Sequence, residues 1–380
     1  MTGREKIQAA ISCEGTAEIP AVICYPNVYY RDHWSALTQQ PWWALSSGKL
    51  ELCQAVYRDF IRNVPQDWLY PPALPPLHER MHTVIAEESD GVCLVNTKTG
   101  HRKHLPPPAV GGWKSGALHS KNPENPPQTT EDVDRWLHLS TPTDQDSPLD
   151  DGTADLIQTL VSHEARDLSI MGFASTPYAR CYGLWSFDEM MLNVLERPSL
   201  VHYACRRLLD AEIAQVRRQA RMGIQGIWIQ NLMTDMISPA AFREFNLPYL
   251  QELAEAIRNA GLFSIHYYCG NPKDRMGLLL EVKADALALE ESKKGWEVDI
   301  EAVIEHVGGR MAILGNLDSV GVLEQGSDEE LRAEVLRQIR TGRRNRSRFI
   351  MSLGSPVTPG ASVARVRLYC ELAHDLGARH

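Results

Sequence analysis

GIWIQNLMTDMISPAAFREFNLPYLQELAEAIRNAGLFSIHYYC, residues 226–269, holds one complete unit of the architecture. Residues 226–230 are short, β-branched and aromatic, which predicts a buried strand. Ser238-Pro239 reads as an N-cap with proline at the first helical position, where a missing N–H costs nothing. Apolar periodicity then carries a helix over 239–260, and Gly261 sits where that helix should stop. A second strand follows over 262–268. Strand, helix, strand in this order is a βαβ unit, which calls for a parallel sheet.

The same rhythm extends on both sides. Strands are predicted at 168–174, 285–290, 311–316 and 349–354, with helices at 186–195, 199–222, 272–282, 300–306 and 328–341. Upstream, the apolar run 19–25 and the segment 67–70, ended by Pro71-Pro72, supply two more strands. Eight alternating strands predict a closed (β/α)8 TIM barrel formed by one domain over 1–380; an open doubly wound sheet is the alternative that pattern leaves. No GxGxxG or GxxxxGK[ST] pattern follows a strand, so neither a dinucleotide site nor a P-loop has support. Residues 78–125 differ in texture. Runs at 81–87, 91–96 and 102–105 are parted by Ser89-Asp90-Gly91 and Lys98-Thr99-Gly100, which predicts hairpins and a small β-rich insertion near the N-terminus.

Composition narrows the function. The net charge of -9 argues against a nucleic-acid partner. Eight cysteines are spread singly, with no CxxC pair to suggest a zinc ribbon or a thioredoxin-type site. No apolar run is long enough for a bilayer, and MTGREKIQAAI lacks a signal-peptide layout. The expectation is a cytoplasmic enzyme with reduced thiols, acting on a small molecule.

In a barrel, the C-terminal strand ends share one mouth. That rule selects Trp228, Gln230 and Asn231; His266, Tyr268 and Cys269; Glu290 and Glu291; Asn316 and Asp318; and Ser352, Gly354 and Ser355. Alternation puts Ser264, His266 and Tyr268 on one face of their strand, and Ala286, Ala288 and Glu290 on one face of theirs. Small and polar groups suit the barrel interior, so His266, Tyr268 and Glu290 are expected to converge. They can serve either as acid–base partners or, with Cys269 and Glu291, as ligands of a metal such as zinc. Trp228, Gln230, Asn316 and Ser352 are the candidates for holding substrate.

These segments resemble the uroporphyrinogen decarboxylase superfamily over nearly the whole chain. Arg4-Glu5-Lys6 with Ile19-Pro20-Ala21-Val22 is similar to its opening helix and first strand. Ile237-Ser238-Pro239 through Phe242, Phe245 and Pro248-Tyr249 resembles its ISP…F…F…PY signature. His266 to Cys269-Gly270-Asn271 resembles its HxCG segment, Gly315-Asn316-Leu317-Asp318 its GN-D turn, and Gly354-Ser355-Pro356 its last glycine-rich strand end. The resemblance implies one of two chemistries. One is methyl transfer from a small methylated compound, assisted by zinc and linked to a corrinoid carried by a partner protein. The other is metal-independent decarboxylation or lyase chemistry on a small carboxylate. The zinc branch uses His-x-Cys and a later Cys. This chain has His266-Tyr267-Tyr268-Cys269, one residue longer, and Ser355 at the late position. The resemblance further implies an Asp67 in the cleft, an insertion that caps the mouth and brings Trp113 and His119 towards substrate, and a homodimer. The run Arg343-Arg344-Asn345-Arg346-Ser347-Arg348 precedes the last strand and is read as a solvated loop or subunit contact.

Overall fold

The computed structural model describes every residue except 90, 112–122, 141–148, 293–294 and 379–380. Ten strands are described: β1 (Trp68–Leu69), β2 (Thr83–Glu88), β3 (Gly91–Asn96), β4 (Arg102–Leu105), β5 (Ser169–Ser175), β6 (Gly226–Asn231), β7 (Phe263–Tyr268), β8 (Ala286–Leu289), β9 (Ala312–Leu314) and β10 (Phe349–Ile350). Seven of them form a parallel sheet in the order β1-β5-β6-β7-β8-β9-β10. Its strands are almost wholly buried, as expected of a sheet covered on both faces.

The predicted eighth strand, 19–25, is not a regular one. Its backbone nevertheless joins the two edges of the sheet. Val22 N donates to Met351 O (2.9 Å), Met351 N to Pro20 O (2.9 Å), and Asp67 N to Ala21 O (2.8 Å). Side chains supply what a second ladder would otherwise give. The Asp67 carboxylate accepts from Ala21 N, and the Gln66 amide oxygen accepts from Ile23 N. Pro20 has no N–H to offer, so the segment is stitched in by polar side chains.

The helix predicted over 239–260 is two helices, Pro239–Phe245 and Leu247–Asn259. Pro248 cannot donate to the preceding turn, and its ring excludes a continuous path. The remaining local signals hold. Ser238 caps Ala241 N, and Gly223 (φ 98°) and Gly261 (φ 78°) end their helices in the left-handed region.

The predicted β-rich segment forms a separate antiparallel sheet, β2-β3-β4. Its second turn is set by Asn96, whose side chain accepts from Lys98 N and Thr99 N, and by Gly100 at φ 73°. Trp113 and His119 lie outside the described residues. No described helix is long and apolar enough to cross a membrane.

At the N-terminal end of the barrel one expectation fails and another holds in part. Asp67 is not in the cleft. It opens β1 at the opposite end, held by Lys6 Nζ (3.0 Å), His374 Nε2 (2.7 Å) and Ala21 N. The arginine run is solvated only in part: Arg344 and Arg346 are exposed, Arg344 pairing with Glu301 and Glu305, while Arg348 is buried. Arg348 donates to the carbonyls of Gly309 and Ile11, Arg343 to that of Gly377, and the Asn345 amide to those of Met311 and Arg348. These cations satisfy carbonyls where helices meet strand starts.

Candidate active site at the strand ends

Which face of each strand looks inward is settled by contacts between strands that are not neighbours. The Trp228 ring on β6 lies 5.7 Å from that of Trp68 on β1 and 5.7 Å from that of Tyr25. Tyr25 also meets Tyr267 of β7 edge-on at 5.6 Å and Phe173 of β5 at 6.3 Å, and Phe173 stacks on Tyr70 at 4.6 Å. Side chains from four directions meet here, so this is the interior. Tyr267 stacks on Trp228 at 4.9 Å and therefore points inward.

That overturns the predicted phase of β7. His266 and Tyr268 point outward, beneath the helices. His266 is fully buried, and its Nε2 accepts from the Asn231 side-chain amide (3.0 Å). Asn231 in turn accepts from Thr234 Oγ1 (3.1 Å) and from Asn246 Nδ2 (3.3 Å) at the break between the two helices. Burial pushes the imidazole down to about 3, so it is neutral at physiological pH. Tyr268 packs edge-on against Phe242 of the Pro239–Phe245 helix, with the Arg275 guanidinium 6.0 Å from its ring centre. The physical reason lies in side-chain bulk. The rings of Tyr25, Phe173, Trp228 and Tyr267 fill the interior at the mouth, and of the two His266 ring nitrogens only Nε2 has a hydrogen-bond partner among the described residues, Nδ1 being buried without one. The convergence of His266, Tyr268 and Glu290 does not occur.

Other predicted residues do face the mouth. Glu290 is 4% exposed and lies close enough to the Tyr267 hydroxyl to act on it electrostatically. Its inward direction follows from the register, since Tyr267 is paired with Ala288. Gln230 and Trp228 both act on the Tyr25 hydroxyl, as does the Cys269 thiol. Burial drives the Tyr25, Tyr70 and Tyr267 phenols well above their ordinary value, so all three are neutral donors. Tyr267 donates to Gly354 O (3.1 Å). Gly354 is required there: a Cβ would lie 2.2 Å from Glu291 N and 2.5 Å from Glu291 Oε2.

Asn316 and Ser352 have structural duties. The Asn316 amide donates to Glu290 O (3.3 Å) and Val298 O (3.0 Å), tying both ends of the loop after β8. Ser352 donates to the carbonyl of Leu353, its chain neighbour just past β10.

Sequence reasoning missed Tyr25, Tyr70, Phe173 and Tyr267. Tyr25 holds a left-handed backbone (φ 50°) just before Pro26, an unusual conformation for a non-glycine residue at a site. Nothing in the sequence signals it. Tyr267 was readable: counting back by two from Cys269 lands on it.

A family model described as Uroporphyrinogen decarboxylase (URO-D) matches residues 117–376. The chain belongs to this family. The uroporphyrinogen decarboxylase of Xanthomonas axonopodis pv. citri is 26% identical over 228 residues, 55% of this chain and 61% of that protein. Uroporphyrinogen decarboxylase 2, chloroplastic, of Arabidopsis thaliana is 26% identical over 264 residues, 66% of this chain and 62% of that one. The match thus spans about three fifths of these relatives' length. A solved methyltransferase from Methanosarcina mazei superposes over 99% of both chains with a TM-score of 0.67 at 18% identity, which speaks for the fold.

The zinc expected from the family's methyltransferase branch does not fit the predicted donors. His266 turns away to Asn231, and no described group of three or more His, Cys, Asp and Glu side chains is placed to hold a metal ion. No step is therefore assigned to a metal.

Proposed function

We propose that this uroporphyrinogen decarboxylase family member transfers a methyl group from a small methylated compound bound at its mouth. The observation that carries this reading is the lining: the rings of Tyr25, Phe173, Trp228 and Tyr267, with the Glu290 carboxyl beside them. A methyl group leaving a heteroatom carries partial positive charge in the transition state. Aromatic faces and a carboxylate favour that charge. A substrate with many carboxylates would instead call for arginines in the cleft. The described groups that act on the Tyr25, Tyr70 and Tyr267 hydroxyls include thiols, other rings, Gln230 and Glu290.

Trp228 and Tyr267 would form the floor under the substrate, Gln230 would orient it by a hydrogen bond, and Glu290 would offset the charge that develops or give the leaving atom its proton. The heteroatom keeps the bonding pair. The acceptor implied is the reduced corrinoid of a partner protein, which supplies the nucleophile. The full-length likeness to a protein named methyltransferase supports this reading.

A second reading is favoured by the relatives' printed name: metal-independent decarboxylation of a small carboxylate, with Tyr267 and Glu290 managing the proton. One assay separates the two. The purified protein is given methylated amines and methyl ethers with cob(I)alamin, and small carboxylates with detection of CO2. Methyl-cobalamin formation, reduced roughly 100-fold by Trp228→Ala, is the expected result. CO2 release without methyl transfer would replace the first reading with the second.

A further inference from the structure

Side chains two residues apart on a strand share a face. Cys269 continues β7, so the strand residue on its side is Tyr267. Tyr25, reaching in from the chain's first barrel segment, confirms this: its ring meets that of Tyr267, and the Cys269 thiol acts on its hydroxyl. The Tyr267 hydroxyl donates to Gly354 O, one residue before Ser355. The missing Cβ of Gly354 makes room for the Glu291 carboxylate, and Glu290 acts on the same phenol. The phenol therefore stands among a thiol, two carboxyls and the end of the last strand.

A thiol, an imidazole and a carboxylate make a competent zinc donor set. A neutral phenol is a poor ligand, and its ring takes up the volume an ion would need. We infer that Tyr267 fills the position from which a nitrogen donor would join Cys269 and one carboxyl of the Glu290–Glu291 pair, and that the native mouth, where no three described donors converge, holds no zinc for this reason. His266, the histidine nearest in sequence, cannot substitute because strand alternation points it at Asn231.

The test reads metal rather than turnover, so its outcome is separate from the methyl-transfer reading. Zinc content is measured after equilibration with micromolar zinc and dialysis, and the cobalt(II) form is examined for a thiolate charge-transfer band. The native chain is expected to retain under about 0.1 equivalent, and Tyr267→His about one, lost again in Tyr267→His/Cys269→Ala. Ser355→Cys, which adds a thiol but keeps the phenol, is expected to stay as low as the native chain. Near-UV circular dichroism identifies variants that keep the native packing. A native chain or a Ser355→Cys variant holding a full equivalent would overturn the inference, and so would a folded Tyr267→His that binds none. If Tyr267→His does not fold, the native and Ser355→Cys arms still test the inference, because a full equivalent of zinc in either overturns it.

Discussion

His266 shows how one residue's direction changes a functional reading. Its ring is fully buried, accepts a hydrogen bond from Asn231 and stays neutral, with burial pushing it down to about 3 from an ordinary 6.5. Below pH 6.5 the unfolded chain takes up a proton that the folded chain refuses, so this residue makes the fold lose stability as pH falls from 6.5 towards 3. Between pH 7 and pH 4 the loss is about 3 kcal/mol. Urea unfolding of His266→Asn at both pH values should show a pH dependence flatter by about that amount. At pH 7.5 the variant should keep whichever of the two proposed activities the native chain shows within about twofold, because the residue faces helices and not the mouth. Equal pH dependence in both proteins would mean that the imidazole is not sealed off.

At the level of elements, the loop that follows β8 carries the carboxyls of the mouth, and Asn316 holds it. The Asn316 amide bonds both Glu290 O and Val298 O, while Asn316 N donates to the Gln338 side chain on the Asp328–Arg343 helix. Asn316→Ala should loosen the loop without unfolding the barrel. Hydrogen exchange at 291–292 and 295–299 should rise by roughly 10-fold, and kcat should fall more than KM rises. A change in KM alone would return Asn316 to direct contact with substrate. Much of this level was legible in the sequence. The strands around 226–269 and the hairpins at 81–105 follow from periodicity and turn residues. The phase of β7 did not, because the rule that small polar residues face inward is overridden here by the packing of Tyr267 on Trp228 and Tyr25. The break at Asn246 was also missed, although Pro248 announces it.

Across the whole molecule, closure depends on polar ties at the N-terminal end of the barrel. Asp67 joins the first helix through Lys6, the last helix through His374 and the closing segment through Ala21 N. Burial works to raise its carboxyl, but His374, Lys6 and the Ala21 N–H outweigh it and hold it below its ordinary 3.8. Its stabilisation is therefore complete above that value and is lost only as pH falls below it. Asp67→Asn leaves Lys6 buried without a counter-charge and should cost about 3 kcal/mol at pH 7 by denaturant unfolding, with early loss of the terminal helices in hydrogen exchange. An unchanged midpoint would show that the ring closes without this tie. Eight strands were expected and seven are regular, since Pro20 and the side chains of Gln66 and Asp67 replace part of the missing ladder.

The mouth is built by the face of β7 that carries Tyr267, with His266 on the far side of the sheet. Nitrogen-15 NMR of histidine-labelled protein, compared with His266→Asn to assign the ring, measures this directly. The His266 signals should stay those of a neutral imidazole from pH 8 down to about 4.5 and should not move on adding zinc. A titration near its ordinary value, or a shift on metal addition, would place the ring in the mouth and contradict the account.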